Sequence, residues 1–202
     1  AITGVVAYGA GNSPALIQML YMSRGPLLIA GLAELGIVWY VSARINRLSL
    51  VSATVWFIVF SALNGLTLGW IFAAFTSAAI SKTFFITAGV FGAMGAVGLF
   101  IKRDLSMIGR IFYMALIGLI IASVANWFFK NDMLMSICNY LGVIIFTGLT
   151  AYDTQKIKNL LLSVGGADNE MGLRISLLGS LTLYLDFVNL FLYLLRFFGR
   201  RR

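Results

Sequence analysis

Three acidic side chains stand in stretches otherwise suited to lipid. Glu34 lies near the middle of the apolar run 26–43, Asp186 near the middle of 173–198, and Asp153 nominally closes the run 133–153, with Thr154-Gln155-Lys156 able to continue its helix. The other four acids, Asp104, Asp132, Asp168 and Glu170, fall in breaks between runs and read as ordinary solvated charges. A carboxylate at the centre of a spanning helix costs about 2.5–3.5 kcal/mol on insertion scales, so a bundle held by packing alone would omit it. Its default reading is functional, and an ion or proton route is the commonest use. The competing reading is a structural acid bonded to a neighbouring helix, and it weighs more for Glu34 than for Asp186.

Asp153 and Asp186 belong to the last two runs, which the loop 156–172 makes neighbours. If both face the bundle at one depth, they cannot both ionise cheaply in a low dielectric, and they share a proton. The chain has no histidine. Such a pair is therefore its natural pH sensor, while histidine-based catalysis, metal sites and switches are excluded. Asn189 follows Asp186 at i+3 on the same helical face, where it can orient the carboxyl and add a polar group to a route. Two carboxylates facing a cavity also offer hard oxygen ligands suited to calcium. They are too few for a tight site, which fits transient occupancy by an ion that must leave again. The candidate counter-charge is Arg44, just past the run 26–43. A guanidinium between two aspartates would hold them ionised and plug a route, and protonation would weaken that lock. The alternative for Arg44 is a topology-setting arginine at a helix end.

The elements that carry these residues are expected to be membrane helices. The 202 residues are 60% hydrophobic and 11% charged, against about 25% charged in soluble domains. Six runs meet the length of about 20 residues that a spanning helix needs: 26–43, 48–75, 83–101, 108–129, 133–153 and 173–198. Residues 2–7 are too short to span and are followed by the turn formers Gly9, Gly11, Asn12, Ser13 and Pro14. Residues 1–8 are accordingly expected to be the remnant of a first helix that begins upstream. The whole chain, 1–202, reads as one all-α transmembrane domain.

The net charge of +8 raises a nucleic-acid reading, which the placement of the bases rejects. Arg24, Arg44, Arg47, Lys82, Lys102, Arg103, Arg110, Lys130, Lys156, Lys158, Arg174, Arg196 and the arginines at 200–202 all lie in or beside breaks. There they meet lipid head groups and set topology. Among the breaks the bias places those after positions 43, 101 and 153 in the cytoplasm, with the basic tail pulling the other way. Gly65 and Gly69 form a GxxxG pair, and Gly89, Gly92, Gly95 and Gly98 recur every third residue, as expected of close packing faces. Cys138, the single cysteine, reads as a small buried hydrophobe.

The last two runs also resemble a family. Leu149-Thr150-Ala151-Tyr152-Asp153-Thr154-Gln155-Lys156-Ile157-Lys158 is one hallmark. Ser180-Leu181-Thr182-Leu183-Tyr184-Leu185-Asp186-Phe187-Val188-Asn189-Leu190-Phe191 is another, followed by Leu194-Leu195-Arg196-Phe197-Phe198-Gly199. Together with Ala62-Leu63-Asn64-Gly65-Leu66-Thr67-Leu68, Lys102-Arg103-Asp104-Leu105-Ser106 and 112–126, they resemble the transmembrane Bax inhibitor motif family, most of all its bacterial inner-membrane branch. The resemblance implies seven transmembrane helices with the last one central and wrapped by the others. It implies a pH-dependent calcium leak in which Asp153 and Asp186 sense protons and a second-helix arginine, Arg44 or else Arg47, pairs with them. Glu34 becomes a polar group lining the route from the opposite side. No resident cofactor is implied, since calcium is the transported ion. The expected partners are the lipid bilayer, calcium ions and protons. Two other classes stay open: a proton-coupled cation exchanger, and a non-conducting regulator of a membrane protease or other membrane protein. An enzyme is not expected, because no serine–lysine or aspartyl-protease motif accompanies the acids.

Overall fold

A computed structural model describes residues 2–21, 24–44 and 49–199. Arg47 and the arginines at 200–202, together with the side chains of Tyr21 and Arg24, lie outside the described residues. The regular elements are helices: α1 (Ile2–Asn12), α2 (Pro14–Leu16), a π-turn (Ile17–Tyr21), α3 (Arg24–Arg44), α4 (Leu50–Leu68), α5 (Trp70–Ala74), α6 (Ser77–Phe100), α7 (Ser106–Phe129), α8 (Asp132–Ser163) and α9 (Glu170–Phe198). Six stretches are long and apolar enough to cross a membrane, with α4 and α5 counted as one. Rings and aliphatic side chains such as Leu32, Trp39, Phe85, Met114 and Ile121 are exposed along them. For a protein whose solvent is lipid, that is the ordinary arrangement.

The chain divides into two compact units, Ala1–Ile80 and Ser81–Gly199. In the first, α1 packs against α4 and α5, and α3 packs against α4. Gly65 permits the closest approach, since a Cβ there would lie 2.7 Å from Val6 Cβ and 2.8 Å from the Thr3 carbonyl oxygen. The Thr3 hydroxyl donates to the Ser61 carbonyl at 3.0 Å, tying the same two helices. Two sequence expectations are corrected here. Helix α1 runs through Gly9 and Gly11 to Asn12 instead of stopping at residue 8, because Gly11 packs beneath the Gly69 carbonyl and Phe72. The stop comes one step later, where Ser13 caps the next turn with Pro14 at its first position. The expected run 48–75 is likewise two helices, broken at Gly69.

In the second unit α8 has close neighbours on two sides, α7 and α9. Glycines set the register of each contact. Gly98 of α6 lies against Ala151 and Thr154, Gly109 of α7 against Tyr152, and Gly148 of α8 against Phe112. Gly142 faces Tyr193, and Gly179 faces Ile157. Lipid is as apolar as leucine, so helices gain little from the hydrophobic effect and associate through close packing at such small residues. The buried cluster between them comprises Leu119, Cys138, Ile145, Phe146, Leu149, Leu190 and Leu194, and Cys138 is the buried small hydrophobe expected. Of the every-third-residue glycines, Gly98 makes the tight contact, Gly95 an ordinary one at 3.8 Å, and Gly89 and Gly92 face open space among the described residues.

Helix limits differ from the expected spans mainly in α8, which continues three turns past Asp153 to Ser163. Its 32 residues extend about 48 Å, well beyond a hydrocarbon core of about 30 Å. The sequence signal at Asp153 marks where apolar residues stop, and polar residues such as Thr154, Gln155 and Lys156 continue a helix without difficulty. Helix α6 also starts earlier than expected, at Ser77. The link from α7 to α8 turns through Lys130 in a left-handed conformation (φ 48°), after which Asn131 caps α8 by accepting from the Leu134 N–H at 3.0 Å. Gly165 and Gly166, at φ 82° and 103°, provide the turn into α9.

Gly98→Val should lower the thermal unfolding midpoint in detergent by an amount matching about 1–3 kcal/mol of overpacking. Gly92→Ala, placed in open space, should leave the midpoint unchanged or raise it, and circular dichroism melts of both variants compare the two directly.

Candidate functional site

The register of α8 and α9 decides where the two aspartates meet. The contacts Gly142–Tyr193 and Gly179–Ile157 bracket them, one on either side along the helix pair. The result brings Asp153 and Asp186 together as expected, near enough for each carboxyl to act on the other. Both are removed from the surface, at 2% and 5% exposure. Burial within protein, rather than depth in lipid, therefore defines the environment of Asp153.

A third residue joins them from α7. The contacts of Gly109 with Tyr152 and of Phe112 with Gly148 hold α7 in register with α8, and the Tyr113 hydroxyl donates to Asp153 Oδ1 at 3.0 Å and Oδ2 at 3.1 Å. The Tyr113 ring meets Tyr152 edge to face, with centroids 6.0 Å apart. Asp186 is served less well: its Oδ2 is buried without a hydrogen-bond partner among the described residues. The neighbouring threonines do not help, because Thr150 donates to the Phe146 carbonyl and Thr154 to the Thr150 carbonyl, each at 2.7 Å. Lys156 is the cation whose charge acts on Asp153, and its ammonium rests over the Tyr152 ring, 6.0 Å from the centroid. Among the described residues the one salt bridge is Arg174–Glu170, so neither member of the pair has an ion-pair partner there.

Asn189 lies on α9, one turn beyond Asp186, but its amide nitrogen donates to the Leu185 carbonyl at 2.9 Å. The expectation that it orients Asp186 is therefore corrected: the amide satisfies its own helix backbone. Arg44 belongs to the other unit, at the end of α3. Its guanidinium sits over the Tyr40 ring at 5.5 Å, and Tyr40 in turn contacts Trp56 at 5.4 Å. Glu34, in the same unit, is bonded across to α4. Asn64 Nδ2 donates to Oε2 at 3.0 Å and the Thr67 hydroxyl bonds Oε1 at 2.6 Å, with the Asn64 carbonyl 3.0 Å from that hydroxyl. This is the interhelical bonding expected of a structural acid.

Gln155, one position after Thr154, clamps the loop between α6 and α7. Its Oε1 accepts from the Leu105 N–H at 2.8 Å and its Nε2 donates to the Arg103 carbonyl at 2.9 Å. The Lys158 ammonium adds a bond to the Leu99 carbonyl at 2.7 Å. The loop entering α7, and with it the helix that carries Tyr113, is thereby fastened to the helix that carries Asp153. Asp104 in that loop accepts from both the backbone and hydroxyl of Ser106 (2.9 and 2.7 Å), which holds its carboxyl below the usual carboxylate range. For a cation, the pair offers carboxylate oxygens and one phenol, well short of the six to eight ligands of a dedicated calcium cage. Among the described residues no group of three or more acidic, cysteine or histidine side chains converges.

Six apolar helices long enough to cross a membrane, with a buried carboxyl pair between the last two, define an integral membrane protein. The chain belongs to the family described as inhibitor of apoptosis-promoting Bax1, whose model matches residues 1–202. It is 48% identical to the inner membrane protein YbhL of Escherichia coli strain K12 over 201 residues, covering 100% of this chain and 86% of that protein. Similar relatives include the protein RP147 of Rickettsia prowazekii, at 40% identity and 84% of its length, and a protein of Borreliella burgdorferi, at 41% and 86%.

Gln155→Leu leaves the buried Leu105 N–H without its acceptor. The variant should lose about 1–3 kcal/mol of stability, and limited proteolysis in detergent should cut faster between α6 and α7 than in wild type.

Proposed function

We propose that this chain is a pH-sensitive cation leak of the bacterial inner membrane, with calcium as the ion that passes. The observation that supports this reading is the Asp153–Asp186 pair: two buried carboxyls that adjoin each other, with no ion-pair partner among the described residues. Carboxyls so close share a proton, and their charge changes with pH by whole units in a low-dielectric setting. In this reading the pair senses protons and is also the transient stopping point of the cation. Weak ligation suits the task, since a conducted ion has to leave again.

Arg44 is proposed as the counter-ion of the closed state, and the Tyr40 ring is its resting contact in the structure. Protonation of the pair removes the attraction for the guanidinium, so flux rises as pH falls. Glu34 and Asn189 are proposed as polar groups along the route. The arrangement drawn from the resemblance, seven spanning helices around a central last one, belongs to the same reading. The protein acts without a resident cofactor and without catalysis.

Reconstituted liposomes loaded with a calcium dye test the reading. Wild-type protein should pass calcium at a rate that rises as external pH is lowered through neutrality, and Asp153→Asn and Asp186→Asn should each flatten that dependence. Strict coupling of calcium to an opposing proton gradient would replace the leak with a proton-coupled exchanger. No flux above empty liposomes at any pH would discard conduction in favour of a regulator that binds a membrane protease or other membrane protein.

A further inference from the structure

We propose that Tyr113 is the positioning residue that makes Asp153 the ionised member of the pair and leaves the shared proton on Asp186. The proposal rests on the reading of the pair as a proton sensor, and it adds an order to the two carboxyls.

The argument is a count of donors. The Tyr113 hydroxyl has one proton and lies almost equally far from both oxygens of Asp153, at 3.0 and 3.1 Å. A donor bisecting a carboxyl in this way suits a carboxylate, whose two oxygens both accept. A neutral acid has one oxygen that carries hydrogen and accepts poorly. The phenol proton has no other acceptor among the described residues, so the tyrosine is the donor in this contact. If both Asp153 oxygens accept, the proton shared by the two carboxyls rests on Asp186. The remaining oxygen of Asp186, buried and without a partner, agrees with that assignment. A bare carbonyl oxygen on a neutral acid is a modest loss, whereas a bare oxygen on a buried anion is a severe one.

The bases on the helices packed around the pair do not reverse this assignment. On α8, Tyr152 meets the Tyr113 ring edge to face, and Lys156 rests its ammonium over the Tyr152 ring at 6.0 Å. On α7 the nearest base is Arg110, one turn before Tyr113 and exposed. On α9, Arg174 and Arg196 are 12 and 10 residues from Asp186, about 18 and 15 Å along the axis. On α6, Lys82 is nine residues before Phe91, which packs on Phe187 beside Asp186. Tyr113 is thus the group whose geometry distinguishes the two carboxyls.

The test is the pH profile of calcium flux for Tyr113→Phe beside wild type, in the same liposomes. Phenylalanine keeps the ring against Tyr152, and with 37% of Tyr113 exposed the change opens no core cavity. Loss of the hydroxyl removes a charge-assisted hydrogen bond from states in which Asp153 is ionised. Uptake of a proton by Asp153 then becomes easier, and the flux midpoint should move to higher pH by about one to two units. Tyr113→Leu, which also lacks the ring, separates packing from hydrogen bonding: its midpoint should match that of Tyr113→Phe even if its melting temperature is lower. A wild-type profile with pH dependence and an unshifted Tyr113→Phe midpoint, or a shift to lower pH, overturns the role of Tyr113 while leaving the sensor in place. A wild-type flux that does not respond to pH, or an absent flux, removes the sensor reading and the assignment together. In pH-difference infrared spectra of wild-type protein, the protonated-carboxyl signal should be sensitive to Asp186→Asn at pH values where Asp153→Asn leaves it present; the reverse pattern also overturns the assignment.

Discussion

Holding two carboxyl groups in contact inside an apolar helix bundle is the demand around which the second unit is arranged. Each ionised carboxylate at such a depth would cost several kcal/mol without partners, and each polar atom left bare adds a desolvation loss. Partners have to come from adjacent helices, because the threonines beside Asp153 bond their own backbone. Side chains on three helices meet only if the backbones come close. The glycine contacts at Gly98, Gly109, Gly142, Gly148 and Gly179 provide that closeness on both sides of the pair. A larger residue at any of these positions would displace a helix that carries, or abuts, a member of the site.

The same chain meets a second intramembrane acid differently. Glu34 is bonded by an amide and a hydroxyl from one turn of α4, both groups that keep their protons at any ordinary pH. Asp153 is bonded by a phenol and adjoins another carboxyl. Neutral, non-titrating donors make a fixed crosslink between α3 and α4. A titrating partner makes a contact whose character depends on the number of protons present. In the proposed reading, this difference in partners, more than the presence of an acid in a span, sets the sensing pair apart from a carboxyl that crosslinks two helices.

Much of this was legible in the sequence because lipid imposes a severe filter. Long apolar runs, bases confined to breaks and acids out of place identified six spans and the aspartate pair, since few other arrangements satisfy backbone and charge in hydrocarbon. Helix limits were less legible, for apolar composition reports where lipid ends and not where hydrogen bonding ends. Hence α8 outruns its apolar stretch to Ser163, and α1 passes through glycines that look like a turn. Tyr113 left no signal, because a tyrosine in an apolar run is ordinary and its value depends on a register set by glycines on another helix. Asn189 misled for a related reason: spacing along one helix says which face a side chain occupies, but not whether its amide prefers the nearby backbone. Gln155 sits just past the apolar stretch of α8, and its role depends on the loop it holds, which spacing along one helix does not show.

If the pair gates as proposed and Tyr113 orders it, the asymmetry has a consequence that a symmetric pair lacks. Two equivalent carboxyls with one proton form a mixture of two states, and a counter-ion approaching them would meet an average charge spread over both. Here α7 supplies a donor to one carboxyl only, while the other keeps an unpartnered oxygen. The singly protonated pair is then one species, with its negative charge at Asp153 and its bare oxygen at Asp186. A second proton would have to displace the tyrosine's contact to reach Asp153, and removal of the first would leave an unpaired buried anion at Asp186. Both steps alter contacts that join α7, α8 and α9, so proton number and helix packing are linked through the same three side chains. Such a linkage allows a one-proton change to favour one packing of the helices over another without a large ligand or a separate regulatory domain.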